Sequence, residues 1–151
     1  MMVNNILATD MENHFGSVST LSRKLETTGV LMANSEDATL ICGMMLHAAD
    51  VSNPAKKWEY YTKWIDLVMQ EFYRQGDRER EVGMRITKGY DRENPTPQSK
   101  FQNGFMAFVV QPLYECLHKT EYLDLSVQLE QINDNLAIWA KRALEEESGM
   151  S

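Results

Sequence analysis

The sequence predicts an all-α fold, and three observations support this prediction. Apolar residues recur at helical spacing in every long segment of the chain. No segment combines sustained apolar–polar alternation with β-branched residues, the pattern that predicts strands. The breaks between the apolar stripes contain glycine, proline or asparagine, which are typical of turns. We therefore expect a multi-helical bundle without internal repeats or linkers.

The amino-terminal part of the chain predicts two helices. The first has one apolar stripe over Val3–Leu25 and ends at Gly29. The second begins at Ser35, a candidate N-cap, and is apolar on nearly all sides, as expected of a helix in the middle of a domain. Asn53-Pro54 ends it, because the residue before a proline avoids the α conformation.

A third helix and the longest loop are predicted next. Apolar residues at helical spacing over Trp58–Phe72 define this helix, and Gly76 is predicted to close it. The charged stretch DRERE that follows predicts an exposed helical turn. GYDRENPTPQS has two prolines and no periodicity, so it predicts a loop.

Two further helices complete the predicted fold. The fourth runs through Phe101–Val109 and is expected to kink at Pro112, which has no amide hydrogen to donate. The fifth is an amphipathic helix over Leu125–Ala143.

Composition limits the class of protein. The 151 residues suit one domain, and 25% charged with 43% hydrophobic residues exclude both a disordered tail and a membrane bundle. No run approaches the roughly 18 apolar residues of a membrane-spanning helix, and no signal peptide is recognisable. We therefore expect a cytoplasmic protein with no membrane segment.

Charge and cysteines exclude other classes. The net charge of −7 repels polyanions, so nucleic acid is not an expected partner. Cys42 and Cys116 lack the spacing of a thiolate metal site. Two reduced, buried thiols are the simpler interpretation.

His47 and Asp50 are the first candidates for chemistry. Their spacing of three residues places both side chains on one helix face, within reach of a common ion or water. An ionised aspartate in an apolar helix is costly unless it meets a cation, which favours a divalent ion. The alternative is a buried histidine bonded to a carboxylate.

Four sequence blocks together resemble a known family. ILATDM, LHAADVSNP, EFYRQGDRERE and FQNGF occur in this order, and they are similar to the successive carboxy-terminal motifs of class I cyclic nucleotide phosphodiesterases. The resemblance extends from Ile6 to about Trp139. It implies the family's all-helical catalytic fold and the hydrolysis of a cyclic nucleotide to the 5′-monophosphate.

The resemblance also implies that residues 1–151 are only part of that catalytic domain. The family uses two divalent ions, zinc plus magnesium or manganese, and most of their ligands belong to HNxxH and HD motifs upstream of this sequence. The histidine that protonates the leaving oxygen is upstream as well, so no catalytic residue is expected within the chain. Asp50 is implied as the single retained metal ligand, with His47 beside the ligands but not bound to the metal.

The nucleotide-binding side is implied to be largely present. Gln102 matches the glutamine that pairs with the purine edge, Phe105 matches the phenylalanine that stacks on the base, and Val68 would lie on the other face of the base. An amide suits this role because it offers one donor and one acceptor side by side. For the aromatic stripe, ordinary core packing stays open as the alternative. The remaining implied pocket residues are Met11, Asn53, Tyr61, Trp64, Ile65, Met69 and Phe72.

Two hypotheses about function follow. The first is a phosphodiesterase that hydrolyses cyclic AMP, because ADVSNP and QGDRERE look closer to the cyclic-AMP-preferring members; dual specificity for cyclic AMP and cyclic GMP is the runner-up. The second is a non-catalytic truncated fragment that only binds partners or packs. In either case we expect an exposed apolar face through which the chain can self-associate.

Overall fold

A computed structural model describes residues 2–149, and over this range the protein has seven α-helices and no strand. The all-α prediction is confirmed. Two short 3-10 turns, Met11–Asn13 and Asn53–Ala55, and one π-helical segment, Met106–Val110, connect some of the helices. The α-helices are α1 Met2–Leu7, α2 His14–Thr27, α3 Ser35–Asp50, α4 Trp58–Glu81, α5 Gln98–Phe105, α6 Gln111–His118 and α7 Ser126–Glu147.

The predicted first helix is broken into α1 and α2. The Thr9 hydroxyl donates to the carbonyl of Ile6 at 2.9 Å, and the Asp10 carboxylate accepts from the amide of Glu12 at 2.9 Å. Short polar side chains compete in this way with the helical hydrogen bonds of the backbone. The apolar stripe predicted one continuous helix because it continues across this break.

Both ends of α3 differ from the prediction. Asn34, and not Ser35, is the N-cap, and its side chain accepts from the amides of Glu36 and Asp37. The helix ends at Asp50, before Pro54, which lies in the following 3-10 turn. Asp50 is therefore at the carboxy-terminal end of α3.

Helix α4 continues through Gly76, where the sequence predicted its end. Gly76 is buried, and a Cβ at this position would collide with the backbone carbonyl of Tyr90. The glycine thus allows a close approach of the later loop and does not terminate the helix. The charged stretch 77–81 forms the last turns of α4.

The kink predicted at Pro112 is replaced by the π-helical segment, which joins α5 to α6 almost continuously. Pro112 is the second residue of α6 and follows the π-helical turn directly, so the backbone widens at the point where the proline has no amide hydrogen to donate.

The core lies between α3, α4, α6 and α7. Ile41, Tyr61, Leu113 and Trp139 are at most 2% exposed and belong to one apolar cluster. No described helix combines the length and the apolar character needed to cross a membrane.

Candidate functional site

A cavity of about 620 Å³ opens between α4, α5 and the turn that follows α3. Its lining has a large apolar share together with a few polar groups, which is typical of a small-molecule site. Nine residues that the sequence singled out line this cavity: Met11, Asp50, Asn53, Tyr61, Ile65, Val68, Phe72, Gln102 and Phe105.

One face of α4 forms a wall of the cavity. Tyr61, Ile65, Val68 and Phe72 follow each other at intervals of three or four residues, which keeps them on one side of a helix. Their ends are about 16 Å apart along the helix, at 1.5 Å per residue. The cavity is therefore long enough for a ligand larger than a single aromatic ring system.

A buried hydrogen bond fixes the main polar group of the cavity. The Tyr61 hydroxyl donates to Oε1 of Gln102 at 3.0 Å, and these two residues are 1% and 6% exposed. Burial raises the pKa of the Tyr61 phenol, so the hydroxyl keeps its proton at neutral pH. This bond leaves the amide N–H groups of Gln102 and one lone pair of its oxygen for a ligand.

Phe105 is one helical turn beyond Gln102, so both face the cavity from α5. Val68 lines the same cavity from α4. An aromatic face and an aliphatic side chain from two helices are suited to hold a flat ring between them. Gln102 would contact the edge of such a ring.

Asp50 lines the cavity from the end of α3 and is exposed to solvent. Asp50 is therefore not the buried aspartate that the sequence predicted, and it needs no cation to offset desolvation because water reaches its carboxylate at the helix end. As an oxygen donor facing a cavity it still fits one position around a hard divalent ion. Within the described residues, no group of three or more histidine, cysteine, aspartate or glutamate side chains could hold a metal.

His47 is buried against another histidine. Its Nε2 lies 2.9 Å from Nδ1 of His14, and both residues are at most 2% exposed. Across this contact one ring donates and the other accepts, which two neutral rings can do. The outer ring nitrogens, Nε2 of His14 and Nδ1 of His47, are buried and have no hydrogen-bond partner among the described residues. Burial lowers the pKa of both histidines, although the Asp50 carboxylate opposes this effect on His47. This pairing with His14 was not predicted from the sequence.

Trp64 and Met69 lie outside the cavity, although both were predicted to line it. Trp64 is 53% exposed, and Met69 is 7% exposed within the core cluster and borders a different groove. Helical spacing explains the difference, because positions 64 and 69 flank the face that carries Ile65 and Val68.

Sequence reasoning missed five residues of the lining. Phe101 adjoins Gln102 in FQNGF, so the motif itself was a usable signal. Tyr90 comes from the non-periodic loop, where no pattern indicates which side chain turns inward. The five are Val51, Pro54, Glu71, Tyr90 and Phe101.

Comparisons with known proteins place the chain in a family. The family model described as 3'5'-cyclic nucleotide phosphodiesterase matches residues 1–132. The 3',5'-cyclic-AMP phosphodiesterase isoform F of Drosophila melanogaster is 36% identical over 141 residues, which cover 89% of this chain and 21% of that protein. The 3',5'-cyclic-AMP phosphodiesterase 4C of Mus musculus is 35% identical, with coverage of 89% of this chain and 20% of that protein.

A solved structure agrees with this assignment. The structure of LmjPDEB1 in complex with IBMX superposes with a TM-score of 0.86 at 29% identity, over 93% of this chain and 42% of that chain. The chain spans about a fifth of the length of the curated relatives named above. It belongs to the class I cyclic nucleotide phosphodiesterases and carries part of their catalytic domain.

Proposed function

We propose that this chain supplies the purine pocket and one metal ligand of a phosphodiesterase that hydrolyses cyclic AMP to the 5′-monophosphate. The observation that carries the proposal is the buried Tyr61–Gln102 hydrogen bond inside a cavity that Phe105 also lines. A carboxamide held in one place beside an aromatic face recognises a flat heterocycle by its edge and by its surface.

In this proposal Gln102 pairs with the edge of the purine. Its amide can donate to a ring nitrogen and accept from an exocyclic amine, and the Tyr61 hydroxyl restricts rotation of the amide. Phe105 stacks on one face of the base and Val68 covers the other. Asn53, Ile65, Phe72 and Met11 enclose the remainder, whereas Met69 would act through its packing in the core.

Cyclic AMP is the proposed substrate, with dual specificity as the alternative. The named fly and mouse relatives are cyclic-AMP phosphodiesterases at 35–36% identity. Asn53 lines the cavity and carries an amide that can accept from the adenine amine. Comparable binding of cyclic GMP would favour the dual-specificity alternative.

The proposed activity needs two divalent ions, zinc with magnesium or manganese, and Asp50 would hold one of them in the complete domain. When bound, such a pair of ions activates water and neutralises charge on the phosphate. The remaining ligands and the proton donor would come from outside residues 1–151, with His47 buried near the ligands. This chain alone is then expected to be catalytically silent.

Calorimetric binding of cyclic AMP and cyclic GMP to the purified chain tests the proposal. We expect saturable binding of cyclic AMP, weakened about 10- to 100-fold in Gln102→Ala by the loss of hydrogen bonds to the base. Gln70→Ala is the matched control, because Gln70 is exposed on α4 and lies outside the cavity. Absence of binding to the wild-type chain, or equal binding by Gln102→Ala, would refute the proposed pocket.

A second candidate function is a non-catalytic module that binds to a second copy of itself. Val3, Ile6 and Leu7 of α1 and Phe15 of α2 are 60–67% exposed, an arrangement that favours association in water. Sedimentation velocity at several concentrations distinguishes the two functions. A dimer that loses affinity in Phe15→Ser, in a chain without cyclic nucleotide binding, would support the module over the pocket.

We also propose a cytoplasmic location. Cys42 and Cys116 are both free thiols, as is usual in the reducing environment of the cytoplasm. Microscopy of the tagged protein in its own cells tests this location, and a signal confined to a secretory compartment would refute it.

A further inference from the structure

Tyr90 forms one end of the cavity together with two other aromatic rings. Its ring stacks on Phe72 with centroids 4.3 Å apart and planes 9° apart, and Phe101 meets Phe72 at 6.2 Å in an edge-to-face contact. Phe72 is three turns along α4 from Tyr61, whose backbone carbonyl is 3.5 Å from the Asn53 amide. The aromatic group is therefore at the opposite end of the cavity from Asn53.

Tyr90 reaches this position because the loop between α4 and α5, residues 82–97, is tied to the end of α4. We call this loop the strap. Arg80 pairs with Asp91 at 2.6 Å, and Arg92 pairs with Asp77 at 2.7 Å. Glu79 accepts from the Thr87 amide at 2.7 Å and from its hydroxyl at 2.9 Å. Contacts on both sides of Tyr90 thus hold the strap against α4.

Two glycines allow the backbone to approach this closely. A side chain at Gly76 would collide with the carbonyl of Tyr90, as described above. At Gly89, φ is +89°, and a Cβ would lie 2.5 Å from the Phe101 ring. A Cβ at position 76 would therefore force the backbone of Tyr90 to shift, and one at position 89 would force the ring of Phe101 to shift.

We propose that Tyr90 is a specificity-determining residue that limits the length of the cavity and excludes purines with bulky substituents. This inference rests on the proposed purine pocket. A ring that is stacked on one neighbour and fixed by its backbone cannot turn aside without losing these contacts, so a bulky ligand meets a rigid wall. A small side chain at position 90 would lengthen the cavity by the space that the Tyr90 ring now occupies.

Binding of two xanthines to the full chain tests this inference. The probes are 3-isobutyl-1-methylxanthine and the analogue that carries benzyl in place of the 1-methyl group. In the wild-type chain we expect the smaller xanthine to bind at least about tenfold more tightly, a typical effect of a rigid pocket wall. In Tyr90→Ala the ratio of the two dissociation constants, benzyl analogue over methyl compound, should fall to about one or below, because the benzyl group fills the vacated space.

Two further variants keep the test decisive. Tyr90→Leu, which retains an apolar side chain without the planar ring, replaces Tyr90→Ala if the latter fails to fold by circular dichroism. Tyr60→Ala is the matched control, because Tyr60 is 53% exposed on α4 and lies outside the cavity. It should keep the wild-type ratio.

The outcomes separate this inference from the proposed function. Wild-type binding with an unchanged ratio in the position-90 variants would overturn the role of Tyr90 and leave the purine pocket standing. Equal weakening of both xanthines would show that the ring adds affinity without selecting size, which also overturns it. Absence of binding of either xanthine to the wild-type chain would overturn both proposals.

Discussion

The two sides of the cavity are built very differently. On the side of α4 and α5, Tyr61 and Gln102 are almost fully buried and joined by a hydrogen bond, and Tyr61 belongs to the apolar core cluster. On the side of α3, Asp50 is exposed at a helix end. No metal-binding cluster of three side chains accompanies it within residues 2–149.

This difference shows which chemistry the chain can perform with its own residues. Buried, mutually supported side chains hold a fixed geometry without a ligand, because moving them would break packing and leave polar atoms unpaired. A single hydrated carboxylate has no such constraint, and water supplies the rest of its surroundings. We therefore expect recognition of the base to be independent of the metal-binding side in this chain.

The largest expected effect concerns the support of the pocket by α7. Trp139 is 2% exposed and packs against Trp58 at 5.0 Å and Tyr61 at 6.3 Å between ring centroids. Trp139→Ala should lower the free energy of unfolding by about 3–5 kcal/mol, as large-to-small changes of buried aromatic residues do. Urea unfolding followed by circular dichroism measures this loss.

The matched control for Trp139→Ala is Trp64→Ala. Trp64 is 53% exposed, so its removal should cost less than about 1 kcal/mol. Similar losses for the two variants would show that α7 does not support the α4 wall, and the comparison between the two sides would lose its structural basis.

The next effect is on binding. Phe105→Ala should weaken the binding of cyclic AMP by about 1–3 kcal/mol, the usual range for stacking of a base on an aromatic side chain. Calorimetry measures this, and Phe108→Ala is the control because Phe108 is 72% exposed and lies outside the cavity. A folded Phe105→Ala variant with unchanged affinity would remove Phe105 from the pocket.

Helical periodicity and the family motifs predicted much of this architecture, but not its interruptions. The stripe over α4 and the FQNGF motif identified the wall and Gln102, because both depend on spacing within one helix. The break at Thr9 and Asp10 depends on side-chain hydrogen bonds that compete with the helix. Apolar periodicity carries no information about this competition.

The position of Tyr90 could not be predicted for a different reason. It depends on contacts between the strap and α4, including the approach of its backbone to Gly76. Glycine in a helical pattern is a plausible terminator, and only the tertiary structure shows that it makes room for another segment. The His14–His47 pair likewise joins residues on two different helices.

A smaller effect on the free energy of unfolding is expected when the pH is lowered, through the buried histidines His14 and His47 on the α3 side. Burial lowers the pKa of His14 and His47, so the unfolded chain binds more protons than the folded chain once the pH falls towards 6.5. Above the pKa of histidine in the unfolded chain, the two neutral histidines cause no loss of stability. As the pH falls below that pKa, the free energy of unfolding decreases.

Urea unfolding at pH 7.5 and pH 5.5 measures this dependence. His14→Gln removes one titrating ring and should reduce the difference between the two pH values. His118→Gln is the control, because His118 belongs to α6 and lies outside this pair. An undiminished difference in His14→Gln would show that other groups cause the pH dependence.

The smallest expected effect is that of Asp50→Asn on the chain alone. Asp50 is exposed, so the substitution should change the free energy of unfolding by less than about 0.5 kcal/mol and leave cyclic AMP binding unaltered. Titration with Mn²⁺ followed by electron paramagnetic resonance should give a dissociation constant on the order of 1 mM or weaker in the wild type, because one carboxylate leaves most metal positions to water. Asp134→Asn, an exposed aspartate on α7, is the control. Sub-micromolar binding that requires Asp50 would mean that residues 1–151 assemble a complete metal site, and the two sides of the cavity would then be equally well built.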